Sequence, residues 1–163
     1  MRNGIKEKDI VLEIAKLVKT FVQIRKVHLT RRTDVSSKLR DRVRLANKLR
    51  AKCFISIHCN GSENKKAKGV EVWYYKGSKL GKQIAGLFQE RLCIWGSSDR
   101  GVRKAYAKGK RKIYVLKHTR MPAILIELGF LSSSFDRRKL CYAEWKRVVA
   151  KEIAELIDLL TPC

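Results

Sequence analysis

Apolar residues recur along this chain in two rhythms, one of three to four residues and one of two. From Glu7 to about Val22, Ile10, Val11, Ile14, Leu17, Val18 and Phe21 fall at helical spacing. Glu7 and Asp9 stand at the start of that helix and Lys16 and Lys19 toward its end, where the helix dipole favours them. Lys26 to Thr30, KVHLT, predicts a strand, followed by the basic turn Arg31 to Asp34. Ser36 or Ser37 can cap a helix running to about Arg50, with Leu39, Val43, Leu45, Ala46 and Leu49 inward. The run from Cys53 to His58 predicts a buried strand, and Val70 to Tyr75 a second, separated by a polar loop. Ser78 to about Cys93 predicts a helix, and Gly96 to Gly109 a loop. Short strands are predicted over Ile113 to Leu116 and Ala123 to Phe130, then a helical region from about Asp136 to Leu160. Strands alternating with helices, without a repeat or a linker, predict one α/β domain over residues 1–163.

Two of these strands end on chemistry. In CFISIHCNGS, alternation places Phe54, Ser56 and His58 on one face, so His58 closes a core strand at its carboxyl end. In AILIELGF, Glu127 is the lone charge, a position that is unfavourable without a partner or a task. The carboxyl ends of strands in an open α/β sheet are where ligands bind, so these two residues are expected to meet over one rim. Taken singly, a strand histidine is more often a packed core residue than a metal ligand.

Charge changes the picture more than composition does. Thirty-eight Lys and Arg against 15 Asp and Glu give a formal +23, which predicts a polyanionic partner: nucleic acid, an acidic membrane surface or an anionic cell wall. The plainer alternative is a generally basic surface with no such partner. Hydrophobic residues at 45% exclude a disordered chain, and no apolar run reaches the ~18 residues of a membrane span. The opening MRNGIKEKDI lacks the apolar core of a signal peptide, so synthesis in the cytoplasm is expected. Cysteines at 53, 59, 93, 141 and 163 show no zinc-finger spacing and are expected to be buried free thiols made in a reducing compartment.

The segments EKDIVLEIAKLV, VHLTRRTD, LRDRVRLANKLRAKCFISIHCNGS, GVEVWYY, IYVLKHT and MPAILIELGFLSS follow one another over nearly the whole chain. In this order and spacing they resemble the zinc-dependent N-acetylmuramoyl-L-alanine amidases of type 3. The resemblance implies a twisted single-layer mixed or parallel sheet flanked by helices. It also implies Zn2+ held by a His, a Glu and a second His, with a further Glu acting on the attacking water. Carried over by position, Glu7 and His58 are metal ligands, Glu127 is the catalytic acid and base, and Asn60 supports the site. Arg42 and Asn47 match the family's R…AN helix, where a structural hydrogen-bonding role is favoured. The family's first His, in a glycine-rich loop after an opening strand, has no counterpart between Met1 and Lys6. The expected fold therefore lacks that first strand.

His28 and His118 are the only other histidines. His28, inside a predicted strand, is expected to pack, while His118 leaves a strand near the rim and is a candidate to approach the site. Cys59 is expected to point away from His58. The implied substrate is the bond between N-acetylmuramic acid and L-alanine, and the implied partners are peptidoglycan and anionic wall polymers, bound by a monomer at the wall or outside the cell. Two rivals stand beside this reading: a wall-binding remnant without turnover, and a basic nucleic-acid-binding module, for which no recognised motif is present.

Overall fold

A computed structural model describes residues 4–109 and 111–160. Among these, four strands form one mixed sheet in the order β1-β4-β2-β3, comprising β1 (Phe54–Asn60), β2 (Val70–Tyr75), β3 (Asp99–Ala105) and β4 (Ala123–Phe130). β1 runs parallel to β4, β2 antiparallel to β4, and β3 parallel to β2. The helices are α1 (Glu7–Phe21), α2 (Leu39–Lys48), α3 (Lys79–Cys93), α4 (Tyr114–His118), α5 (Ser134–Cys141) and α6 (Ala143–Leu159).

Period-two alternation in β4 divides the core. Ile124, Ile126 and Leu128 face one side, where Ile10, Ile14 and Val18 of α1, Phe88 of α3 and Val149 and Ile153 of α6 are buried with them. Ala123 and Leu125 face the other, packed with Phe54, Val43 and Ala46 of α2 and Val115 and Leu116 of α4. β4, central and covered on both faces, is therefore almost continuously apolar, as a strand in that position must be. Ser78 starts α3 by accepting a hydrogen bond from the Gly81 N–H (3.1 Å), while Ser133 caps α5 through the Asp136 N–H.

Several predicted elements are corrected. Residues 26–30 form no strand, and their backbone makes no hydrogen bond to other backbone among the described residues. Ile113 to Leu116 does not form a strand, because Tyr114 to His118 winds into α4; a short apolar run fits either structure. The loop expected over 96–109 contains β3, whose polar sequence, with Ala105 its one buried residue, hides an edge strand. The terminal helical region is broken at Tyr142, which is extended. Neither Ser36 nor Ser37 caps α2; Lys38 holds that position without a side-chain bond. Of the four described cysteines, Cys59 is buried but Cys141 is exposed, contrary to the expectation of burial; Cys163 lies outside the described residues.

Candidate active site

In-register pairing sets the site. His58 of β1 stands beside Glu127 of β4, and Glu127 stands opposite Glu71 of β2, so three ionisable side chains form one row across a single face. Glu7, the first residue of α1, reaches over the end of β1. Its Oε1 accepts a hydrogen bond from the Cys59 N–H (3.2 Å) and lies 2.8 Å from His58 Nδ1. Burial pushes the Glu7 carboxyl up, but the hydrogen bonds from His58 and Cys59, and the positive charges of His58 and Arg42, outweigh it and leave it below its ordinary value. With Glu7 ionised, His58 Nδ1–H donates to it. Nε2, 3.0 Å from Ser56 Oγ, then accepts from that hydroxyl.

Glu127 is the opposite case. Its Oε2 is buried without a hydrogen-bond partner among the described residues. Burial raises its pKa to about 7, the negative charges of Glu7 and Glu71 add to the rise, and His58 opposes it. A carboxyl that titrates near neutrality can both take and return a proton.

Glu71, third in the row, is buried and fully served. It accepts from Asn60 Nδ2 (3.1 Å), Trp73 Nε1 (3.1 Å) and Arg100 Nε (2.8 Å), and Arg103 Nε lies at 3.8 Å. Arg100 also stacks over the Phe130 ring, 4.8 Å from its centroid. None of Ser56, Glu71, Trp73, Arg100 and Arg103 was singled out for the site from sequence. Glu71 carries the same signal as Glu127, one carboxylate inside an apolar strand.

The turn after Glu127 is built by a bulge. His58 pairs with Glu127 but Asn60 with Phe130, so β4 carries one extra residue. Gly129 adopts φ +153°, and a Cβ there would come within 3.1 Å of Asp136 Oδ2. That space lets the buried Asp136 accept from the N–H groups of Phe130 (2.8 Å) and Gly69 (2.9 Å), and from Ser97 Oγ.

The other residues singled out from sequence separate into those at the row and those away from it. Asn60 joins the row through Glu71 and accepts from the Gly61 N–H (2.8 Å), a loop-shaping role. Arg42 donates from Nε to the Ser37 carbonyl (3.2 Å), and Asn47 ties α2 to the end of α4 through the His118 carbonyl (3.3 Å) and the Arg120 N–H (3.0 Å). Cys59 is buried in the core on the α1 side, and burial pushes its thiol far up. His118 is exposed and stacks on Tyr114, ring centroids 4.2 Å apart, so it is not brought to the row. His28 is exposed rather than packed, because the segment that carries it joins no sheet.

Glu7 and His58 meet as two corners of a metal site would. Ligands ~2.0–2.2 Å from a tetrahedral zinc stand a little over 3 Å apart, close to the 2.8 Å observed. Catalytic zinc takes three protein donors, however, and no cluster of three or more His, Cys, Asp or Glu suited to a metal occurs among the described residues. The donor set fits zinc in part. Beside Glu7, a cavity of about 490 Å³ lined by Lys6, Gly61, Ser62, Ser132 and Arg137 opens to solvent, giving a substrate room and a basic wall.

Comparison with known proteins identifies the family. A family model described as N-acetylmuramoyl-L-alanine amidase matches residues 1–158. The chain is 33% identical over 157 residues to the N-acetylmuramoyl-L-alanine amidase LytC of Bacillus subtilis strain 168, covering 93% of this chain and 30% of that protein. It is 36% identical over 171 residues to the endolysin of Bacillus phage SPP1, covering 96% of this chain and 60% of that one. Among solved structures, an N-acetylmuramoyl-L-alanine amidase from Clostridium difficile 630 superposes with a TM-score of 0.86 at 31% identity, over 95% of this chain and 83% of that one. The chain thus spans from under a third to three fifths of the length of these two sequence relatives. By the match over residues 1–158 and by these relatives, the chain belongs to the type 3 N-acetylmuramoyl-L-alanine amidase family.

Proposed function

We propose that this chain hydrolyses the amide between the lactyl group of N-acetylmuramic acid and L-alanine in bacterial peptidoglycan. One observation carries the reading: Glu127, buried and titrating at about 7, stands in register beside a histidine already held by Glu7. Ionised Glu127 takes a proton from water as its oxygen attacks the amide carbonyl carbon. When the tetrahedral intermediate collapses, Glu127 returns that proton to the leaving nitrogen. Glu7 and His58 are the residues that would hold a zinc ion, which when bound supplies charge to polarise the carbonyl and acidify water. Ser56 Oγ, now a donor to His58 Nε2, would become its acceptor and fix the ring with Nδ1 toward Glu7. Asn60 acts through Glu71, keeping the neighbouring strand end in place.

The formal +23 suits the substrate, since stem-peptide carboxylates and anionic wall polymers make the wall a polyanion. The protein works as a monomer at the cell wall or outside the cell, and no described helix is long and apolar enough to cross a membrane. A second reading, wall binding without turnover, draws on the incomplete donor set. Purified peptidoglycan, incubated with the chain with and without zinc, separates the two. Release of new L-alanine amino termini, abolished by E127Q, is expected; binding to the wall with no release of termini overturns the hydrolase reading.

A further inference from the structure

β3 is the outermost strand on the β2 side of the sheet, and its register is irregular beside the row. Val70 pairs with Asp99 but Val72 with Val102, so β3 holds one extra residue, with Gly101 at φ +75°. Three positions apart, Arg100 and Arg103 would face opposite sides of a regular strand. The bulge turns both to Glu71, with Arg100 Nε 2.8 Å and Arg103 Nε 3.8 Å from the same Oε2. Arg103 is in register with Trp73, and Ala105 beyond it with Tyr75. Ala105 is buried with Leu125, so Arg103 shares the sheet face that carries Glu127 and His58.

Glu71 does not need both arginines. Its Oε1 accepts from Asn60 Nδ2 and Trp73 Nε1, and its Oε2 from Arg100, whose guanidinium lies over the Phe130 ring. One guanidinium is enough to balance one carboxylate. Arg103 makes no hydrogen bond among the described residues, its side chain is 44% exposed, and the carboxylate it faces is beyond hydrogen-bond range. A positive group therefore stands open at the end of the row, aimed there by a bulge.

Distance says what it can meet. Neighbouring strands lie ~4.8 Å apart, so β3 is two spacings, roughly 10 Å, from β4 and Glu127. The arginine side chains close one of those spacings by reaching Glu71. A peptide leaving the scissile nitrogen extends ~3.5 Å per residue, which puts a carboxylate on its second residue about 7 Å out. The terminal carboxylate of a four-residue stem lies at ~14 Å, past the arginines.

Resting on the amide hydrolysis proposed above, we propose that Arg103 is the specificity-determining residue of a carboxylate subsite. It takes the free carboxylate of the acidic residue that follows L-alanine in the stem peptide. A planar guanidinium meets both oxygens of a carboxylate at once, whereas a carboxamide turns a donor toward it on one side. The subsite thus favours substrates whose second residue is left as the acid over those in which it is amidated.

The test uses the whole chain, first in chelator as binding alone and then with zinc as hydrolysis. The probes are N-acetylmuramoyl-L-alanine joined to the γ-carboxyl of D-glutamate with the α-carboxylate free, and the same compound with that carboxylate amidated. In chelator, calorimetry is expected to show the acid bound on the order of tenfold more tightly than the amide. R103Q is expected to remove that preference by weakening the acid alone, and R103K to keep part of it. Equal binding of the two by the parent chain, no saturable binding of either, or an R103Q that weakens both alike overturns the proposal. With zinc, R103Q is expected to raise KM for the acid by ~tenfold and leave kcat unchanged. An acid preference that R103Q abolishes, with neither compound cleaved, removes the hydrolase reading and leaves the subsite. Cleavage of both at equal kcat/KM, with equal binding, removes the subsite and leaves the hydrolase.

Discussion

Glu127 and Glu71 stand directly opposite each other on antiparallel β4 and β2, yet only Glu71 is met by cations. Arg100, Trp73 and Asn60 saturate Glu71, whereas Glu127 keeps an unpartnered buried oxygen. Two like carboxylates in one row are thereby driven to different tasks: one fixes the sheet, the other holds a proton near neutrality.

The first prediction concerns the stability that Glu127 gives up. Burial raises its pKa from 4.5 to about 7, so the folded state binds this proton more tightly than the unfolded chain does. Its contribution is most favourable below pH 4.5 and is lost as pH rises through about 7. The ionised form is disfavoured by on the order of 3 kcal/mol. E127Q should therefore be more stable than the parent in metal-free buffer at pH 8, by up to about 3 kcal/mol, with the gap closing by pH 4. Urea unfolding at the two pH values measures this. Equal gaps would mean that Glu127 is not held near neutrality. Hydrolysis by the same variant should fall at least ~100-fold, the scale of losing an acid–base group.

Arg100 supports a second prediction. Removing it takes the shortest of Glu71's hydrogen bonds away while the carboxylate stays buried. Because Arg100 is itself about one third exposed, and Asn60 and Trp73 still donate, R100A should cost about 2 kcal/mol rather than the full loss of a buried ion pair. R100A with E71Q should recover part of that loss, since no bare charge is then left inside. A double-mutant cycle in urea shows the coupling, and additive effects would contradict it.

The bulge after Glu127 makes a third. Alanine at Gly129 must adopt φ +153° with its Cβ about 3.1 Å from the Asp136 carboxylate. G129A should destabilise by about 2 kcal/mol or more. D136N, which keeps the shape but weakens acceptance from Phe130, Gly69 and Ser97, should destabilise without any clash. Because the bulge places the end of β4, hydrolysis by G129A should fall further than its thermal stability alone explains. Activity measured well below the melting temperature tests that point.

How much of this was legible in the sequence depends on how local each signal is. The strand ends at His58 and Glu127 were readable, because a lone polar group closing an apolar run is a local pattern. Their pairing required only that β1 and β4 be neighbours. Glu71 carries the same pattern in VEVWYY, one carboxylate inside an apolar strand. The approach of Glu7 to His58, 51 positions apart, has no local signature and was indicated by resemblance alone. β3 was hidden because DRGVRKA is a polar edge strand in which Ala105 is the one buried residue. KVHLT does alternate, but alternation cannot report whether a neighbouring strand is there to pair with.

Metal affinity is the last prediction, and it separates the two readings of function. Glu7 and His58 offer two donors where a catalytic zinc takes three, and a missing ligand removes a large part of the binding energy. Zinc should therefore bind the chain well short of the ~10 kcal/mol typical of complete structural sites. Both E7Q and H58A should abolish the binding that remains, because each removes half of the set. Glu7 is ionised at neutral pH, and its carboxyl is held low by His58 and Cys59 against burial. The residual affinity should therefore not follow titration of Glu7 between pH 5.5 and 7.5. Competition against a chromophoric chelator over that pH range measures it. Tight one-to-one zinc with full turnover would show that a third donor lies outside the described residues.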